Sequence, residues 1–158
     1  MSWINDEHRH LGDVFAAREP LADRFEKLYA SFWEDGLVPR RVLELTRLRI
    51  AAIHDAGGEW SQRDPEVDLS EREIDALQKA DFSSFSECEQ AALEIAEKTP
   101  WQHHSIRDAE VKRLETALGT QGAVSLLTAL TFFDMRCRLG LALGIGDEVA
   151  VDAEQADQ

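Results

Sequence analysis

A chain of 158 residues with a formal net charge of −14 and a pI near 4.7 fits one acidic domain, large enough to bury roughly 70% of its unfolded surface. That charge excludes nucleic acid and anionic membranes as partners, since both demand a basic face. Cys88 and Cys137 are far apart, have no metal or redox spacing and suit a reducing compartment. The first residues have neither the basic nor the apolar segment of a leader, and no apolar run approaches the ~20 residues of a membrane span. The expectation is a cytoplasmic protein.

Residues 1–18 read as a polar N-terminal extension in which Leu11, Val14 and Phe15 offer a weak helical face. Pro20 suits the first turn of a helix whose apolar positions, Leu21, Phe25, Leu28, Tyr29 and Phe32, recur every three or four residues. Asp35-Gly36 ends it, and a second helix is expected from about Pro39 to Ala56. That stretch is apolar almost all round, so it should be buried, and the charges it carries, Glu44, Arg47 and Arg49, then need partners. After a break at Gly57-Gly58 a short helix is expected over Glu59 to Asp64, then a loop over Pro65 to Asp68. Ser70 with Glu73, and Ser86 with Glu89, have the capping-box spacing that starts a helix, and Pro100 stops the second of these. Ile106 to Leu118 is again helical, Gly119 and Gly122 mark a turn, and Ala123 to Leu143 form a long apolar helix carrying Asp134, Arg136 and Arg138. Those charges point to a buried or subunit-facing helix and not to a membrane span. No strand alternation appears, so the fold class is all-α: one domain of six or seven helices over 19–147, followed by an acidic tail over 148–158.

Three segments in order resemble the alkylhydroperoxidase D-like branch of the carboxymuconolactone decarboxylase superfamily. Asp35-Gly36-Leu37-Val38-Pro39 with Glu44-Leu45-Thr46-Arg47-Leu48-Arg49-Ile50-Ala51 is similar to the family's entry into its core helix. The helices after Leu69 and through Ala91 to Thr99 are similar to its middle section. Phe133 to Leu139 with Ala142-Leu143-Gly144-Ile145 is similar to its closing helix. The resemblance implies an all-α domain, a small-molecule ligand, and a homo-oligomer (dimer, trimer or hexamer). Redox-active members carry C-x-x-C-x-x-x-H after the core helix, with a glutamate twelve residues before the first cysteine. Glu44 matches that glutamate, but Ala56 and Glu59 stand at the sulfur positions and Arg63 at the histidine. Peroxide reduction by that route needs a thiolate and a resolving thiol.

The candidate catalytic residues are therefore Glu44, Glu59 and His54, with Trp60, Arg63 and Arg138 as substrate contacts and with no cofactor and no metal expected. In one straight helix Glu44 and Glu59 would lie roughly 22 Å apart, so they can share a site only if the glycine break turns the chain back. Each has a plainer reading. Glu44 can be the buried partner of Arg47 or Arg49, Glu59 an acid at a helix start, His54 a satisfied helix-end histidine, Trp60 a core aromatic, and Arg138 a partner of Asp134. Arg63 stays charged at any ordinary pH, so it can bind a carboxylate or pair with Glu59 but cannot act as an acid or base. Adjacent His103-His104 lack a third ligand for a metal. Three readings follow: a non-redox small-molecule pocket protein, a thiol peroxidase working without C-x-x-C, and a catalytically silent oligomer used for binding or scaffolding.

Overall fold

The computed structural model describes residues 11–145, which are helical with no β-strand. The helices are α1 (Leu11–Ala16), α2 (Glu19–Glu34), α3 (Arg40–Ile53), α4 (Gly57–Ser61), α5 (Glu71–Lys79), α6 (Glu87–Lys98) and α7 (Asp108–Leu143), with a 3-10 turn over His103–Ser105. The acidic tail and most of the N-terminal extension lie outside the described residues. The helical body begins earlier than residue 19, because α1 packs on α2 and α7 and buries Leu11.

Helix α3 is the axle. Val42 to Ala51 are all buried, and α3 packs against α4, α5, α6 and α7. Its apolar side chains divide between two clusters. Leu43 and Ile50 meet α6 and α7 residues such as Ile95, Leu126, Leu130 and Phe133, while Leu45 and Leu48 meet Leu77, Phe85 and Leu93. Its arginines tie it to the surrounding segments. Arg41 holds Glu89 at 2.7 Å, Glu73, and the Asp68 carbonyl at 3.0 Å; Arg49 holds Glu97 at 2.5 Å and the Leu77 carbonyl at 2.8 Å.

Both capping boxes are formed: Ser70 and Ser86 accept from the N–H groups of Glu73 and Glu89, whose carboxylates return to the cap N–H groups. The break after α3 is placed differently from the sequence reading. Asp55 takes the left-handed conformation at φ 52°, and Gly57-Gly58 already belong to α4. Asp visits that region at modest cost, so the double glycine is not where the chain reverses.

The α7 turn falls at Gly119 alone, whose φ of 72° and ψ of 167° interrupt the helix. Gly122 is helical, and a Cβ on it would stand 2.8 Å from the Leu37 carbonyl oxygen, so it sets how closely α7 approaches the α2–α3 loop. By length and composition α7 is apolar enough to cross a membrane, contrary to the sequence reading. Its inward residues Leu126, Ala129, Leu130 and Phe133 belong to the domain's own core, as in the core helix of any globular protein.

Two predictions follow. Gly119→Ala meets open space but forces an L side chain into a region essentially reserved for glycine. It is expected to cost about 1–3 kcal/mol in urea unfolding, whereas no loss would mean that α7 runs straight. At the α6–α7 junction, Lys98 at 2.6 Å and the Arg107 N–H at 3.0 Å hold the Glu110 carboxyl at about 2, below its usual 4.5. A carboxyl depressed on folding stabilises the fold above the unfolded value and loses that contribution as pH falls through the folded one. The stability gap between wild type and Glu110→Gln should be full above pH 4.5 and close as pH drops toward about 2.

Candidate functional site

Glu44 and Arg47 sit one turn apart on α3, where side chains become neighbours. Arg47 Nε and Nη2 donate to the two Glu44 oxygens, each at 2.8 Å, and both residues are buried, at 1% and 6% exposure. The remaining capacity of the pair is spent on the returning chain. Arg47 Nη1 donates to the Glu59 carbonyl at 2.7 Å and Nη2 to the Gln62 carbonyl, capping the C-terminal end of α4. Glu44 Oε1 accepts the Asp64 N–H at 3.1 Å, and Arg40 grips the Asp64 carboxylate at 2.6 and 3.2 Å. Burial works against the Arg47 charge, but its carboxylate partners outweigh that and raise its pKa.

This return brings Glu59 to α7. Arg136 donates to Glu59 Oε1 from Nη2 at 2.8 Å and from Nε at 3.2 Å, with its guanidinium 4.6 Å from the centre of the Tyr29 ring. Arg47 Nη1 lies 3.6 Å from Glu59 Oε2. Glu44, Arg47, Glu59 and Arg136 thus alternate in charge and sum to zero.

Glu59 and Arg136 stand in the wall of a cavity of about 480 Å³ between α1, α2, α4 and α7. Leu11, Phe15, Phe25 and Tyr29 supply much of its apolar lining. The volume falls in the range of small-molecule sites, and apolar walls around a few polar groups are their usual composition. Cys137 also lines it, but burial, reinforced by the charge of Glu59, pushes its thiol up to about 12. Burial raises the Cys88 thiol as well, so both remain thiols near neutral pH.

The residues singled out in the sequence are divided among several places. Glu59 lines the large cavity. Glu44 and Arg63 border a shallower groove of about 250 Å³, reached from the other side of Tyr29 and Gln62. Glu44 meets Glu59 only through Arg47. His54 lines neither space; its Nε2 lies 2.6 Å from Asp134 Oδ1, and its ring centre lies 5.3 Å from that of Trp101, the two rings tilted by 58°. Arg138 reaches the same carboxylate at Oδ2, 2.9 Å away, and donates to the Pro100 carbonyl at 2.6 Å. His54 and Arg138 therefore form a second polar cluster that ties α3, α7 and the loop after α6 together. Trp60 packs between both apolar clusters and carries the Arg63 guanidinium 4.4 Å above its ring. Arg63 has no carboxylate partner among the described residues, and burial lowers its pKa. His103 and His104 face each other in the 3-10 turn, and no group of three His, Cys, Asp or Glu among the described residues is placed to hold a metal ion.

Sequence reasoning missed Arg136 and Tyr29. The signal for Arg136 was present: it shares the inward face of α7 with Phe132, Phe133 and Gly140, three and four residues away. A charge on that face requires a partner. Comparison with family models, curated proteins and solved structures returns no match.

Arg47→Met should cost about 3–5 kcal/mol, because it leaves Glu44 buried without its cation. Glu44→Leu in the same chain should return part of that loss in urea unfolding. The remainder reports the uncapped α4 carbonyls. A double variant as unstable as the single one would show that charge imbalance is not the cause.

Proposed function

We propose that this protein is a non-redox relative of the alkylhydroperoxidase D-like and carboxymuconolactone decarboxylase proteins that binds a small organic molecule in the cavity beside Glu59. The reading rests on one observation: an apolar space of about 480 Å³ that ends in a Glu59–Arg136 ion pair. The kinship is supported by the segment order noted above and by an all-α body whose buried central helix carries Glu44. Binding is preferred to chemistry because the buried Glu44 carboxylate is held by two hydrogen bonds from Arg47 and one from the Asp64 N–H, a structural role that opposes its taking up a proton. A thiol peroxidase reading is disfavoured by the two raised thiols, and a silent scaffold by the open, partly polar cavity. Oligomer formation and a cytoplasmic location remain part of the proposal on the strength of resemblance and composition.

The test is a thermal-shift screen of uncharged and charged organic compounds against wild type and a blocked variant, Gly140→Phe. Gly140 lines the cavity in a helical conformation, and a Cβ there meets nothing closer than 3.9 Å, so the bulkier residue should fold while filling the space. A ligand at about 100 times its Kd stabilises the native state by about 2.7 kcal/mol, a clear rise in Tm. Compounds that stabilise wild type but not Gly140→Phe support the proposal. It is lost if no compound stabilises wild type, or if the blocked variant responds equally.

A further inference from the structure

The polar end of the cavity is only half used. Arg136 spends both Nε and Nη2 on Glu59 Oε1, leaving Nη1 without a hydrogen bond among the described residues. Glu59 Oε2 accepts none either, since Arg47 Nη1 at 3.6 Å is too far for one. Among the described residues, Trp33 Nε1 is the one side-chain polar atom both sealed from solvent and without a hydrogen bond. The Tyr29 hydroxyl feels its dipole, but the pair does not reach hydrogen-bond geometry. Glu59 Oε2 and Arg136 Nη1, lacking partners but absent from that sealed class, are therefore open to solvent. An acceptor and a donor without hydrogen bonds thus stand on two ion-paired residues that both line one mainly apolar pocket.

The charges around that pair limit what can dock. Exposed Glu26 and Glu59 against Arg136 give the lining a net charge of −1, inside a chain of −14. A carboxylate entering there would lose its hydration and face Glu59. An ammonium would face Arg136, with Arg47 behind it. A hydroxyl or a primary carboxamide does neither: each donates one hydrogen bond and accepts another, and neither carries a charge to desolvate. Phe15, Phe25 and Tyr29 offer ring faces to an apolar or aromatic body.

We propose that the ligand of this cavity is a neutral, mainly apolar molecule bearing one hydroxyl or carboxamide group, which donates to Glu59 Oε2 and accepts from Arg136 Nη1. This rests on the reading of the cavity as a small-molecule site and adds the chemical class.

The experiment is calorimetric titration of the full chain near neutral pH with four compounds on one naphthalene skeleton: naphthylmethanol, naphthamide, naphthoate and naphthylmethylammonium. The alcohol and the amide should bind at least roughly tenfold more tightly than either ion, because each ion gives up its hydration for a site whose Glu59 and Arg136 already neutralise one another. Glu59→Gln should narrow the deficit of naphthoate, and Gly140→Phe should abolish binding of the alcohol. Naphthoate or the ammonium binding as tightly as the alcohol, with Gly140→Phe still blocking it, would overturn the neutral-ligand inference and leave the cavity reading standing. Absence of binding by all four, together with an empty thermal-shift screen, would remove the cavity reading and this inference with it.

Discussion

The bidentate pair between Glu44 and Arg47 is the constraint on which the candidate site depends. Two opposite charges withdrawn from water cost several kcal/mol each, and mutual attraction offsets this only when the remaining donors and acceptors are also satisfied. Here they are satisfied by backbone groups of a different segment: the carbonyls of Glu59 and Gln62 and the N–H of Asp64. The pair therefore folds the chain as well as neutralising itself. A short helix such as α4 has little stability of its own, because nucleation is unfavourable and most of its backbone groups are terminal. Arg47 supplies the partners that α4 lacks, and in doing so fixes Glu59 where Arg136 can reach it.

The same device recurs along α3. Arg40 and Arg47, two turns apart, hold the α4 return, while Arg41 and Arg49 hold α5, α6 and the Asp68 carbonyl. Each guanidinium has five N–H donors in a planar fork, enough to bind a carboxylate and a carbonyl at once, which a lysine ammonium does with less geometric definition. An axle helix apolar on nearly all sides has no directional information in its packing alone. The arginines give each neighbouring segment a specific height and face. Glu44 is thus better understood as part of this framework than as a reagent, even though its position is what the resemblance would single out.

What the sequence disclosed follows from the range over which each interaction acts. Helix starts were legible wherever the chemistry is local: Ser70 with Glu73 and Ser86 with Glu89 form the capping boxes that their spacing implies. The buried state of α3 was legible too, because its pattern leaves no polar face, and so was the need of Glu44 for an arginine one turn away. The reversal after α3 was misplaced by two residues, since an aspartate in the left-handed region leaves no mark comparable to a double glycine. Arg136 and Tyr29 were not legible as partners of Glu59 for a stronger reason. Arg136 is 77 residues from Glu59 in the chain, and only the assembled helices bring them together. Similarly, Leu11 and Phe15 read as a weak helical face and turn out to form one wall of the cavity, which exists only after α1 docks on α2 and α7.

Glu59 stands at a half-buried position, and the physical consequences of a carboxylate there reach across the fold. A thiol pair can be buried without a counterion; a carboxylate cannot. Glu59 is only slightly exposed, and its charge is balanced from two sides, by Arg136 on α7 and more distantly by Arg47 on α3. That same carboxylate helps to hold the nearby Cys137 thiol in its protonated form. The Glu59 carboxylate thus does two things at once: it helps to keep the Cys137 thiol protonated, and it engages Arg136, an arginine in the cavity wall with one donor unspent. A pocket whose one thiol is held protonated is poorly suited to redox chemistry with its own sulfur. It is well suited to holding an uncharged polar group at the end of an apolar body, because an acceptor and a donor of opposite charge are already fixed side by side.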